Sequence, residues 1–347
     1  MRSLILKGPG ALAVEERPDP VPGPGEAVVV PEAIGICGSD VHGYAGESGR
    51  RAAGMTMGHE LYGRVVELGA RRPGDPSLEL GANVVLNPVL GCGACALCAA
   101  GEPNLCWQRT VIGVDAPYPG GYSERLLAPV GSLVAIDPAV GTTASLVEPL
   151  AVALHAVAQA GVREHDRVAV LGSGMIGLCC AWAALRAGAA SVHATDMDPA
   201  KTALATELGA RGVTVGERPL RAALDDDGID HVDVVVDAVG LSATCAEGLE
   251  VVRAGGTVAI VGMGTPQLTL PAWPLITRER RVIGTFCYSD PHFAEAVRAV
   301  ERRELVAHTF VDREIGLDAA PAVFAELAAG GPGRIKTLVR PLAEGGS

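Results

Sequence analysis

Between residues 167 and 196 the chain spells out a strand, a glycine turn, a helix and a second strand, and few folds accommodate that order. Arg167-Val168-Ala169-Val170-Leu171 is a short apolar run. It passes directly into Gly172-Ser173-Gly174-Met175-Ile176-Gly177, then into a helical stretch from Met175 to Ala187 and a strand at Ser191–Thr195. A Gly-x-Gly-x-x-Gly spacing is weak on its own. It gains meaning when it follows a strand and opens a helix. Gly172 suits the tight turn, Gly174 lets backbone approach a pyrophosphate, and Gly177 lets helix and strand pack closely. The helix N-terminus adds amide donors and the favourable end of its dipole. Gly172, Gly174, Ile176 and Gly177 are therefore candidate dinucleotide-binding residues. Asp196 follows Gly177 by 19 residues, at the end of the second strand. A carboxylate there accepts both ribose hydroxyls of NAD and repels a 2′-phosphate, so NAD is expected over NADP. Asp198 is its rival. Lys201 either reaches the adenosine end or is an exposed helix lysine. Val261, Gly262 and Met263, after a strand at Thr257–Val261, join the coenzyme set.

The stretch Val168–Leu185 carries no charge, which approaches the length of a membrane span. Its central glycines and β-like start favour a strand, turn and buried helix instead. Strands and helices continue to alternate, with a helix at Pro199–Leu208 and a strand at Val232–Asp237. That pattern describes a doubly wound parallel sheet. Residues 1 to about 140 differ. They are rich in Pro and Gly and carry β-branched runs such as Ala27–Val30 and Val65–Leu68, which suits an irregular all-β barrel. The residues from Ala144 to Ala158 suit a buried helix, with Pro149 placing its start at or after Glu148. The tail returns to mixed character, with helices near His292–Arg302 and Ala320–Ala329 and a strand at Lys336–Val339. Asp225-Asp226-Asp227 is expected as a solvated turn.

Of the nine cysteines, Cys92, Cys95, Cys98 and Cys106 fall within fifteen residues. No targeting segment supports disulfides, since the apolar stretch Leu4–Leu6 is too short for a signal peptide. Four thiolates on a compact loop close a tetrahedral shell on zinc without an open position, which reads as a structural site. An iron–sulfur cluster uses the same ligands. Gly91 and Gly93 allow the sharp turns. Cys179, Cys180 and Cys245 read as small buried hydrophobes.

Two further clusters, Ile36-Cys37-Gly38-Ser39-Asp40-Val41-His42 and Met57-Gly58-His59-Glu60, offer ligand types that zinc accepts. Spacing alone does not prove that they meet. With the cysteine lobe and the glycine fingerprint, all in this order, they make the whole chain resemble a zinc-dependent medium-chain alcohol dehydrogenase of the sorbitol, butanediol and threonine dehydrogenase branch. The resemblance implies a GroES-like catalytic domain over residues 1–147 with a structural zinc lobe at 91–106. It also implies a Rossmann coenzyme domain over 148–285 and a return to the catalytic domain over 286–347. Two zinc ions per chain follow. The catalytic ion would be held by Cys37 and His59 with Glu60 or Glu148 completing the shell, and the structural ion by Cys92, Cys95, Cys98 and Cys106. Glu148 stands where simpler alcohol dehydrogenases have a cysteine, which favours the polyol and threonine branch. Ser39 and His42 would relay the substrate proton to water, and Asp40 would orient the loop.

The Glu-Gly-His stretch usual in threonine dehydrogenases is absent before the cysteine lobe, where Asn87-Pro88-Val89-Leu90-Gly91 stands instead. The expected substrate is thus a polyol, sugar alcohol, cyclitol or vicinal diol. L-Threonine 3-dehydrogenase and NADPH-linked aldehyde or ketone reductase remain the alternatives, while loss of zinc ligands marks the non-catalytic relatives. The segment Gly43–Thr56, with Tyr44, Phe286, Cys287 and Tyr288, is expected to shape the pocket. Tyr44 either binds a substrate hydroxyl or packs the loop. The formal charge of −12 argues against a broad nucleic-acid face. The expected setting is cytoplasmic, away from membranes, as a homodimer or homotetramer that pairs partly through Thr265–Leu275.

Overall fold

The charge-free stretch resolves into the strand Arg167–Leu171, a glycine turn and the helix Met175–Arg186. The computed structural model describes residues 1–115, 117–216, 218–305, 307–331 and 335–342. The chain divides into two compact units, one of Met1–Glu148 with Ser289–Ser347, the other of Pro149–Tyr288.

In the second unit, six parallel strands are present among the described residues. Their order is Arg211–Thr214, Ser191–Asp196, Arg167–Leu171, Val232–Asp237, Val252–Ile260, Arg281–Gly284. This is the doubly wound order, and its direction of winding reverses between Arg167–Leu171 and Val232–Asp237. Crossovers on either side of that point diverge and leave a crevice at the carboxyl ends of the strands. Val168, Ala169, Val170 and Leu171 are all fully buried, because helices cover both faces of a parallel sheet. That is why the strand is continuously apolar rather than alternating. The helix Pro199–Glu207 is capped by Asp198, whose carboxylate accepts from the Ala200 amide at 2.9 Å. The aspartate run is exposed as expected, but only Asp227 lies in the turn. Asp225 and Asp226 end the helix Leu220–Asp226 and pair with Arg221 and Arg218. Asp227 takes the buried His193 and Arg211.

In the first unit the strand Glu26–Gly35 is the hub. It pairs antiparallel with Glu60–Leu68, Leu126–Pro129 and the late strand Lys336–Arg340. Register sets Gly35 opposite both Glu60 and Leu338. Leu4, Ile34, Met57, Leu61, Tyr122 and Phe324 belong to its apolar core. The helix Val147–Ala160 starts one residue before the expected limit. Pro149 sits in its first turn, where the missing N–H has no intrahelical acceptor to lose. Residues Pro138–Ala160 are long and apolar enough to cross a membrane, yet 67% of the apolar window is buried inside the protein. Gly141, at φ 63° and ψ −148°, breaks the helical path as well.

Candidate metal and coenzyme sites

The four cysteines of the lobe converge. Their Sγ atoms all lie within 4.8 Å of one another, with Cys92–Cys98 at 4.0 Å and Cys95–Cys98 at 3.5 Å. An ion about 2.3 Å from four tetrahedral sulfurs sets them about 3.8 Å apart, so the group fits zinc. Backbone amides of Cys92 and Gln108 donate to Cys106 Sγ, each at 3.4 Å. A Cβ on Gly91 would stand 2.5 Å from Cys98 Sγ, so only glycine fits there. Without metal the thiols separate in acidity. Amide hydrogen bonds from Ala94 and Cys95 lower Cys92 to about 6, and desolvation pushes Cys98 up to about 11. A shared dication draws all four to thiolate.

Cys37 caps the helix Gly38–Ala45, which begins as the hub strand ends. His59 and Glu60 enter the neighbouring strand. The Gly35–Glu60 register therefore closes the gap between the two motifs. Among the described residues, Cys37, His59 and Glu60 bring one ligand atom each within 4.8 Å of the others. This donor set of thiolate, imidazole and carboxylate also suits zinc. Each ionised neighbour has a buried counter-charge. Asp40 accepts from Arg51 Nη2 at 2.7 Å, and Tyr122 Oη lies 2.9 Å from its other oxygen. Lys336 Nζ donates to both Glu60 oxygens, at 2.8 and 2.6 Å, and to Ile36 O at 3.1 Å.

The titrations follow from this arrangement. Burial opposes the imidazolium of His59, but Asp40 and Cys37 outweigh it and raise His59 well above its ordinary value. Burial likewise opposes the Lys336 ammonium, and Glu60 outweighs it, with Glu148 adding a smaller pull. Glu148 is buried in the first turn of its helix and stands outside the three-residue group.

Ser39 and His42 lie three residues apart on the same short helix. The Ser39 hydroxyl donates to Cys37 Sγ at 3.3 Å. The half-exposed His42 ring pairs through Nδ1 with Glu47 at 2.6 Å. Tyr44 takes the packing role. Its hydroxyl donates to Gly10 O at 2.9 Å, and its ring stacks obliquely on Phe324. Cys287 is half-buried at φ 48°, and Tyr288 is buried. His292 pairs with Ser289 Oγ at 2.7 Å, whereas the His308 side chain lies outside the described residues.

The coenzyme candidates gather at the carboxyl ends of the parallel strands. Gly172 adopts φ 88°, and a Cβ there would meet Val239 at 2.6 Å. A Cβ on Gly177 would collide with Gly172 O. At Gly174 nothing lies within 4 Å of where a Cβ would be, an open cradle at the start of the helix containing Ile176. One Asp196 oxygen accepts from the Ser173 amide at 2.9 Å, the other from the Asp198 amide at 3.0 Å. Asp196 is thus held at the glycine turn, while Asp198 is occupied as a helix cap. Lys201 sits in the first turn of that helix. The amides of Val261 and Gly262 both donate to Asp237 O at 2.9 Å, and Met263 is exposed.

Comparison with known proteins identifies the family. Residues 23–138 match the alcohol dehydrogenase GroES-like domain, and residues 176–302 match the zinc-binding dehydrogenase family. D-Xylulose reductase A of Aspergillus niger is 30% identical over 348 residues, covering 97% of this chain and 96% of the relative. The chain belongs to the zinc-binding medium-chain dehydrogenase family. L-Galactonate-5-dehydrogenase of Escherichia coli K12 is 31% identical over 312 residues, covering 88% of this chain and 89% of the relative. The crystal structure of 2R,3R-butanediol dehydrogenase from Bacillus subtilis superposes with a TM-score of 0.88 at 27% identity, covering 98% and 99% of the two chains. As a medium-chain dehydrogenase the chain has zinc and NAD(P) as its cofactor class. The buried partners Lys336, Arg51 and Tyr122 had no motif to announce them. Lys336 opens its strand, where a lysine points to no partner.

Proposed function

We propose that this dehydrogenase transfers hydride between NAD and a secondary alcohol of a polyol, sugar alcohol, cyclitol or vicinal diol, within the sorbitol and butanediol branch. The observation that carries the reading is the convergence of Cys37, His59 and Glu60 from separate segments onto one point. The named activities of the relatives, which act on a ketopentose, a sugar acid and a diol, support the substrate class.

Cys37 and His59 hold the catalytic ion, with Glu60 or Glu148 as the carboxylate. When bound, zinc supplies Lewis-acid stabilisation of an alkoxide and NAD accepts the hydride. Ser39, beside Cys37 Sγ, receives the hydroxyl proton. His42 on the same helix face, half in solvent, releases it to water. Asp196 accepts the adenosine ribose hydroxyls and disfavours a 2′-phosphate. A second zinc sits in the cysteine lobe. The exposed Trp273 supports pairing of chains through Thr265–Leu275.

The test is an initial-rate screen of zinc-replete protein with NAD or NADP against sorbitol, xylitol, inositols, 2,3-butanediol and L-threonine. A strong rate with one polyol and NAD is expected, and Asp196→Ser is expected to narrow the NAD preference at least tenfold. Turnover of L-threonine alone, or aldehyde reduction favouring NADPH, would replace the reading with the corresponding alternative.

A further inference from the structure

Arg51 lies in the segment that joins the helix behind Cys37 to the strand entered by His59. Its side chain is only 3% exposed, and the carboxylate it meets, Asp40, is fully buried. Arg51 Nη2 donates to Asp40 Oδ1 at 2.7 Å, and that same oxygen faces His59 Nδ1 at 3.5 Å. Nδ1 is buried and has no hydrogen-bond partner, so the Asp40 oxygen is the acceptor poised nearest to it. The second Asp40 oxygen is held by Tyr122. The carboxylate is therefore fixed from two sides and presents one edge to the imidazole.

The surroundings are shaped to admit this arginine. A Cβ on Gly43 would collide with the Arg51 stem, so the helix Gly38–Ala45 carries glycine where Arg51 passes. The neighbouring Arg50 turns the other way and clasps Asp115 with contacts of 2.8 to 3.3 Å. Consecutive arginines thus pin the segment inward to Asp40 and outward to Asp115.

We propose that Arg51 is a positioning residue for the metal ligand His59. It acts through Asp40: the anchored carboxylate takes Nδ1–H, fixes the ring plane and leaves Nε2 to the ion. Outer partners of ligating histidines act in this way, setting tautomer and orientation. Arg51 meets the carboxylate through Nη2 alone, and a guanidinium keeps its charge when buried more readily than an ammonium. The inference rests on the reading that Cys37 and His59 hold the catalytic metal.

The test follows release of zinc from the holoenzyme to a chromogenic chelator, and the visible spectrum of the cobalt-substituted protein. Variants are Arg51→Met, Arg51→Lys, Asp40→Asn and the double Asp40→Asn/Arg51→Met. Arg51→Met is expected to speed release from the Cys37–His59 site by about 10- to 100-fold and to alter the cobalt bands. The cysteine lobe should release its metal at the wild-type rate, and Arg51→Lys should recover part of the loss. The double variant, in which no charge is left buried at this pair, should release metal no faster than Asp40→Asn. Wild-type release and spectrum in Arg51→Met would overturn the proposal, even with a lowered melting temperature. So would equal acceleration at both sites, or additive effects in the double variant. His59→Ala serves as the separate control. If it retains the wild-type metal content, the metal-site reading itself fails.

Discussion

Lys336 reaches Glu60 across 276 residues of chain, and both side chains are almost wholly buried, at 2% and 1% exposed. Removing one member of such a pair strands a charge away from water. Lys336→Met is expected to cost about 3–5 kcal/mol of unfolding free energy, whereas Glu60→Gln with Lys336→Met should cost much less. Denaturant titration of the two variants checks this. His59 leads to a pH prediction. Its raised value means that the metal-free protein holds a proton there, and that stabilising charge is lost as pH rises through the raised value. The metal requires the neutral ring, so binding must displace the proton. Affinity at the Cys37–His59 site should therefore climb with pH, about tenfold per unit for that proton, until pH passes the raised value. Chelator competition at several pH values reads the slope, and a flat profile would contradict the assignment. At this scale the candidate ligands were legible because cysteines and histidines in short motifs are rare, though only the resemblance to a family joined them into one site. Lys336 and Arg51 were not, since a single basic residue has no spacing to betray its partner.

The glycine turn separates two roles that one motif conceals. Gly177 is required by the fold, for a Cβ there collides with Gly172 O, while Gly174 faces open space. Gly174→Ala is expected to leave stability within about 1 kcal/mol and weaken dinucleotide binding at least tenfold. Gly177→Ala should lower the melting temperature itself. Thermal melts with and without NAD separate the cases, and equal loss of stability in both would refute the division. The strand and helix of this turn were readable locally, because a buried parallel strand is apolar throughout and its helix follows at once. The helix Val147–Ala160 was harder to bound, since Pro149 is admitted in the first turn as readily as it ends a preceding segment. The aspartate run is exposed, as three adjacent carboxylates suggest, but nothing local told that Asp227 pairs with His193, a strand residue 34 positions earlier.

Across the whole molecule, the cysteine lobe is a small element with little apolar core of its own, and the metal substitutes for one. On the proposed two-zinc reading, Cys95→Ser is expected to remove one zinc equivalent and lower the melting temperature, while dinucleotide binding persists. Metal analysis beside a coenzyme titration checks it; loss of both metals together would mean that the two sites are not independent. By itself the sequence offered what is local: the cysteine lobe, the strand–glycine–helix turn, the acidic residue closing the second strand, and two short motifs carrying candidate metal ligands. Each depends on residues within about twenty positions, where backbone geometry constrains which side chains meet. Tertiary structure alone decided that Gly35 stands between Glu60 and the late strand, that Lys336 neutralises Glu60, and that Arg51 reaches Asp40 behind His59. These contacts come from sheet register and from burial of charge. Both are set by how distant segments pack, and no short stretch of sequence encodes them.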